Sequence, residues 1–250
     1  MQKLKNKVAL ITGGTSGMGF ATAQEFIAEG AKVIITGRHQ ETVDQAIKQL
    51  GENAYGVVSD AGKLADIFEL QHQITQHTSK LDILFVNAGY GKFAPIEMVN
   101  EEQFDELFNL LAKGTFFTVQ QMIPIINEGG SIILNTSVVT EIGYPNISIY
   151  SAAKSAVQSF IKTFAAECTA KNIRVNGISP GYIKTNGFDK TGFTDEQIKG
   201  FIASVIPTLP FKRFGEASEI AKTLTFLASD DASYIHGIEI TVDGGLSNIK

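Results

Sequence analysis

The stretch KVALITGGTSGMGFATAQEFIAEGAKVIIT, residues 7–36, decides how the chain is read. Its ends, KVALIT (7–12) and KVIIT (32–36), are short, apolar and rich in β-branched residues, as strands are. Between them MGFATAQEFIAEG (18–30) has a helical period. Strand, helix and strand in that order form a βαβ opening, which places the two strands parallel in one sheet.

The alternation continues to the far end. Strand-like AYGVVSD (54–60), LDILFVNAG (81–89), GSIILNTS (130–137) and IRVNGISPG (173–181) take turns with helical LADIFELQHQITQHT (64–78), EEQFDELFNLLAKGTFFTVQQMIPII (101–126) and YSAAKSAVQSFIKTFAAECTA (150–170). Runs such as Ile83–Val86 and Ile132–Leu134 are continuously apolar, which suits strands covered on both faces. The pattern predicts an α/β fold with a doubly wound parallel sheet and helices on both faces. With 250 residues, 44% of them hydrophobic, one domain spanning 1–250 is expected. Residues 182–213, rich in Gly, Thr and Phe, resist assignment and form a candidate substrate lid.

Charge and composition narrow the partners. The net charge is −5 and no Lys/Arg run exceeds two residues, so neither nucleic acid nor a membrane surface is an expected partner. A single cysteine, Cys168, permits no internal disulfide, and the N-terminal residues lack the apolar core of a signal peptide, so a cytoplasmic location is expected. No apolar run reaches the roughly 20 residues of a bilayer span. The four histidines, His39, His72, His77 and His236, lie on separate segments without ligand spacing, and no metal site is predicted.

TGGTSGMG (12–19) joins the first strand to the first helix. Gly13, Gly17 and Gly19, lacking Cβ atoms, would let the backbone approach a pyrophosphate at the helix N-terminus, with Thr15, Ser16 and Met18 completing the cofactor loop. Sites that choose NAD carry a carboxylate at the end of the second strand. Here Thr36, Gly37, Arg38 and His39 stand there, and Arg38 offers a permanent planar cation to a 2′-phosphate. NADP(H) is therefore the expected cofactor, with NAD(H) the alternative.

In YSAAK (150–154), Tyr150 and Lys154 are one helical turn apart on one face. Ser137 ends an apolar strand, at the sheet edge where ligands bind in open α/β folds. A free tyrosine titrates near 10, so a neighbouring ammonium is expected to lower Tyr150 and make it a proton donor and acceptor at neutral pH. Ser137 would hold the substrate oxygen while hydride passes to or from the cofactor.

TGGTSGMG, NAG (87–89), Ser137, YSAAK and NGISPGYIKT (176–185), in this order, make the chain resemble the short-chain dehydrogenase/reductase family. The ending RFGEASEIAKTLTFLASDDASYIHGIEITVDGG (213–245) resembles its β-ketoacyl carrier-protein reductase and ketone reductase branch. The resemblance implies a Rossmann-like fold of about seven strands, a homotetramer, and NADP(H)-dependent interconversion of an apolar ketone or aldehyde with an alcohol. It also implies that Asp60 and Ala61 meet the adenine, that Asn87, Ala88 and Gly89 line the cofactor, and that Pro180, Gly181, Ile183 and Thr185 lie by the nicotinamide. From its own surroundings Asp60 is equally a helix N-cap. Val138, Val139 and Tyr144 are expected in the substrate wall, with Tyr90 beside them. Phe188 is also expected there, as the lid's contribution. Phe193, Phe201, Ile202, Val205, Ile206, Leu209 and Phe211 are shared between a lid, a subunit interface and a helix over 195–206.

One residue departs from the family. Relatives carry an asparagine three positions before the glycine of GTFF, holding a water that links the lysine to solvent; here that position is Leu111, which cannot hydrogen-bond. Asn109, two residues earlier, points about 200° away on an ideal helix. Two readings follow: an active reductase relaying protons another way, or a cofactor-binding protein with weak or no turnover that acts as a sensor or interaction subunit.

Overall fold

The computed structural model describes residues 2–185 and 194–249. The opening is β1 (Val8–Ile11), α1 (Gly17–Ala28) and β2 (Lys32–Gly37). It continues through α2 (Gln40–Leu50), β3 (Ala54–Val58), α3 (Leu64–Thr75) and β4 (Leu81–Val86). Then come α4 (Glu101–Phe108), α5 (Gly114–Met122), β5 (Ile126–Asn135), α6 (Ser148–Cys168) and β6 (Arg174–Pro180). The last part holds β7 (Ile183–Lys184), α7 (Asp195–Val205), β8 (Gly215–Glu216), α8 (Ala217–Ala228) and β9 (Glu239–Val242). Seven strands pair in parallel in the order β3-β2-β1-β4-β5-β6-β9, and β7 and β8 form a separate two-stranded ribbon. The strand order reverses between β1 and β4, which is where a ligand crevice opens in such sheets.

The continuous apolar runs are explained by two-sided burial. On β5, Ile132 and Leu134 pack with Leu70 and Ile74 of α3, Val119 and Met122 of α5, and Val157 and Ile161 of α6. Ile133, between them, packs on the opposite face with Phe26 of α1 and Ile220 and Leu224 of α8. A period-two strand with apolar residues at both phases has no solvent face to expose. Among the described residues no helix is long and apolar enough to cross a membrane.

Two boundaries differ from the sequence reading. Helix was expected through 126, yet β5 begins at Ile126: Leu81 pairs with Ile126, and the register then shifts so that Ile83 pairs with Ser131. Gly129, at φ 77°, sits within the extra chain between those pairs. The single helix expected over 101–126 is also interrupted, by a π-helical turn at Asn109–Lys113. There the Gly114 N–H donates to the Asn109 carbonyl, five residues back. The extra residue brings Leu107, Leu110 and Leu111 into one cluster with Ile149 and Ala153 of α6.

Leu111 is 1% exposed, and it sits where Gly89 offers no side chain: a Cβ there would lie 2.6 Å from Leu111 Cδ2. Replacing it by the relatives' asparagine would bury an amide among apolar neighbours. Leu111→Asn is expected to lower the unfolding free energy by about 3 kcal/mol, read as the urea midpoint at constant m, while leaving dinucleotide affinity within about twofold.

Candidate active site

The carboxyl ends of β1, β2, β4 and β5 surround a cleft of about 650 Å³. On one side of it lie Gly13, Thr15, Ser16, Gly17 and Met18, with Arg38, Asp60, Ala61, Asn87, Ala88 and Gly89. On the other side lie Ser137, Val138, Val139, Tyr144, Tyr150, Lys154, Gly181, Ile183 and Thr185, and Tyr90 lines it too. A smaller space of about 120 Å³, bordered by Pro180, adjoins Ser137 and Tyr150.

The glycine loop is built for an anion. Gly13 and Gly17 have φ 65° and 56°, and the Ser16 side chain makes no capping bond to α1, whose first turn holds no acidic residue. The N-cap side chain thus leaves the first N–H groups of α1 to other acceptors, as at helix ends that receive a phosphate. Gly19 does not line the cleft; it is buried behind the loop, where a Cβ would lie 2.4 Å from the Gly13 carbonyl oxygen. A loop with Gly13 and Gly17 at positive φ, lining the cleft at the start of α1, has the chemistry that fits a dinucleotide pyrophosphate. Arg38 is exposed at the end of β2 with its guanidinium carbon 5.4 Å from the Tyr90 ring centroid. Tyr90 donates to Glu106, which also pairs with Lys92; burial and that carboxylate push the Tyr90 phenol up to about 12. His39 stands outside the cleft, exposed at the N-cap of α2. Asp60 is not the cap of α3, which is Lys63; its carboxylate accepts from the Gly62 N–H at 3.0 Å.

Asn87 is more than a turn residue. Its side-chain N–H groups donate to the carbonyls of Thr12 (3.0 Å) and Gly13 (3.2 Å), tying β4 to the glycine loop.

Ser137, Tyr150 and Lys154 meet in the cleft. Burial raises the Tyr150 phenol above its ordinary value, and the neighbouring Ser137 hydroxyl opposes that rise in part. Lys154 is 4% exposed; its ammonium donates to the Asn135 carbonyl at 2.7 Å and lies 5.9 Å from the Tyr150 ring centroid. Burial lowers Lys154 to about 8. The expectation that Tyr150 is lowered is thus not met in the chain alone, because desolvation of the phenol dominates.

Several lining residues were not read from the sequence. Phe93 meets the Tyr150 ring edge-on at 6.2 Å, and its loop is held by the Ala94 N–H donating to the Asn146 carbonyl at 2.9 Å. Tyr182 meets Tyr144 at 6.5 Å, Phe201 at 6.0 Å and Phe214 at 5.4 Å. Its place inside PGYIKT was the available signal. Phe201 of α7 lines the cleft, Leu209 is buried, and Phe211 is 69% exposed. Phe188 and Phe193 lie outside the described residues.

A family model described as enoyl-(acyl carrier protein) reductase matches residues 13–247. The 3alpha-hydroxysteroid dehydrogenase of Mediterraneibacter gnavus is 39% identical over 249 residues, 96% of this chain and 97% of that protein. The 3-oxoacyl-[acyl-carrier-protein] reductase of Thermotoga maritima is 35% identical over 253 residues, 98% of this chain and 99% of that one. Among solved structures, L-sorbose reductase from Gluconobacter frateurii, complexed with NADPH and L-sorbose, superposes with a TM-score of 0.92 at 31% identity, covering 99% of both chains.

The Lys154 environment predicts a pH dependence of stability. With its pKa at about 8 in the folded chain against 10.5 ordinarily, the folded state binds fewer protons than the unfolded one between those values. Stability from this group is therefore complete above the unfolded value and lost as pH falls through the folded one. Relative to Lys154→Met, the wild type should gain roughly 2–3 kcal/mol between pH 7 and pH 10 in urea unfolding; a flat difference would contradict the burial effect.

Proposed function

The chain belongs to the short-chain dehydrogenase/reductase family, and on that premise we propose that it is an NADP(H)-dependent reductase of apolar ketones or aldehydes. The observation that carries this reading is the meeting of Ser137, Tyr150 and Lys154 in the same cleft as the glycine cradle and Arg38.

When bound, the nicotinamide cofactor supplies or takes the hydride. The residues supply the rest. Ser137 and Tyr150, side by side in the cleft, offer two hydroxyls to a carbonyl oxygen. Because burial holds the Tyr150 phenol above its ordinary value, it stays protonated at neutral pH, the state that donates to a developing alkoxide. The preference for NADP(H) tilts the working direction toward reduction. Lys154 places a cation beneath the phenol and favours the phenolate left after transfer. Arg38, exposed at the end of β2, would take the 2′-phosphate as a charge-assisted pair.

Phe93, Val138, Val139, Tyr144, Tyr182 and Phe201 make the substrate wall apolar and largely aromatic. Such a wall suits a flat apolar ketone, closer to the steroid named for one relative than to the sugar in the L-sorbose complex. We read 182–213 as the lid over it, with Phe201 its contact and Phe188 assigned there from sequence. Leu111 does not favour the weak-turnover reading: it fills the space beside Gly89, and the lysine has a carbonyl partner elsewhere. We also take the enzyme to be a cytoplasmic homotetramer. Exposed Phe68 (49%), Phe104 (45%) and Phe116 (36%) are surface that further copies would cover.

Tyr150→Phe is expected to bind NADPH as the wild type does and to lose about 10²–10⁴ in kcat on a panel of cyclic and aromatic ketones. Retained turnover would remove the tyrosine from the mechanism. Arg38→Ala should weaken NADPH binding about 10- to 100-fold and leave NADH binding nearly unchanged. Equal loss for both nucleotides would overturn the 2′-phosphate assignment.

A further inference from the structure

Asn135 ends β5 two residues before Ser137 and is 7% exposed. Its main-chain carbonyl accepts the Lys154 ammonium at 2.7 Å, and its side-chain Nδ2 donates to Asn87 Oδ1 at 3.2 Å. Its Oδ1 is buried and has no hydrogen-bond partner. Buried polar atoms of native proteins rarely stay unpaired, so this one calls for a donor.

The orientation of the amide is determined by its neighbours. Both N–H groups of Asn87 are committed to the Thr12 and Gly13 carbonyls, so Asn87 presents an acceptor to Asn135. A flipped Asn135 would set oxygen against oxygen. Two amides in series, anchored on the glycine loop, therefore leave one acceptor free. Asn135 borders the polar 120 Å³ space beside Ser137, Tyr150, Gly181 and Thr185.

Resting on the dinucleotide reading above, we propose that Asn135 is a positioning residue for the nicotinamide end of the cofactor, its Oδ1 accepting a hydrogen bond from the carboxamide N–H. The nicotinamide ring offers no N–H outside that amide, so an acceptor placed here selects the carboxamide over a group that cannot donate. Through Asn87 the same amide pair couples the nicotinamide end to the pyrophosphate loop.

The test compares three ligands by isothermal titration: NADP+, its 3-acetylpyridine analogue, in which a methyl replaces the amide nitrogen, and 2′-phospho-ADP-ribose, which lacks the nicotinamide. The wild type is expected to prefer NADP+ over the analogue by about 10-fold. Asn135→Ala should reduce that preference to below about twofold while binding 2′-phospho-ADP-ribose like the wild type. A variant that keeps the preference, or that weakens all three ligands alike, overturns the proposal by reducing Asn135 to a structural role. If Asn135→Ala does not fold, the wild-type comparison decides: equal affinity for NADP+ and the analogue overturns it. Failure of the wild type to bind any of the three instead brings down the dinucleotide reading itself.

Discussion

Everything at the cleft hangs on a set of hydrogen bonds between the carboxyl ends of β1 and β4. The two strands carry their chains to opposite sides at the point where the strand order reverses, and their last peptide groups would otherwise go unpaired. Thr12 Oγ accepts from the N–H groups of Asn87 (2.9 Å) and Ala88 (3.0 Å), while the Asn87 amide returns two donors to the glycine loop. This approach is close enough to dictate glycine. A Cβ on Gly13 would lie 2.9 Å from Ala88 Cα, and one on Gly19 would lie 2.7 Å from Asn87 Nδ2. The loop's glycines serve the joint between strands as much as the anion in front of it.

The burial of two titratable groups sets the chemistry next. Burial pushes the phenol of Tyr150 up and the ammonium of Lys154 down, each toward its neutral form. Two opposing partners limit the drift, the Ser137 hydroxyl at the phenol and the Asn135 carbonyl at the ammonium. A cationic ligand in the cleft would add in the direction of phenolate, and a neutral one would not.

The sheet and its order of elements were legible from local periodicity, the Tyr150–Lys154 pair from spacing within one helix, and Ser137 from its place at the end of an apolar strand. Gly13, Gly17 and Arg38 were legible as a strand-to-helix loop and a strand end. Asn135 was not, because nothing in SIILNTS shows that its side chain faces a second amide from another strand; that pairing exists only once β4 and β5 lie side by side. The wall residues Phe93 and Tyr182 were not legible for the same reason, being brought in from distant parts of the chain, whereas Phe201, one of the expected lid candidates, reaches the cleft from α7. His39 was placed at the cleft by proximity to Arg38, but one residue along an extended chain turns a side chain away.

The π-helical turn was invisible to a count of 3.6 residues per turn, and it changes how Leu111 is understood. An ideal helix through 101–126 would make the leucine a simple loss of a polar group. In the structure the inserted residue rotates α4 against α5, and Leu111 fills the space left by Gly89 while Gly114 presses against Ala61, where a Cβ would sit 2.1 Å from its carbonyl oxygen. The carbonyls this turn releases are not idle: Asn109 accepts from the Gly114 N–H and Leu111 from Thr115 Oγ at 2.6 Å. With that face of the helix occupied by packing, the lysine turns to the end of β5 for its acceptor. The hydrogen bonds of Lys154 therefore run along the sheet edge, from the ammonium to the Asn135 carbonyl and from the Asn135 amide to Asn87, which holds the glycine loop.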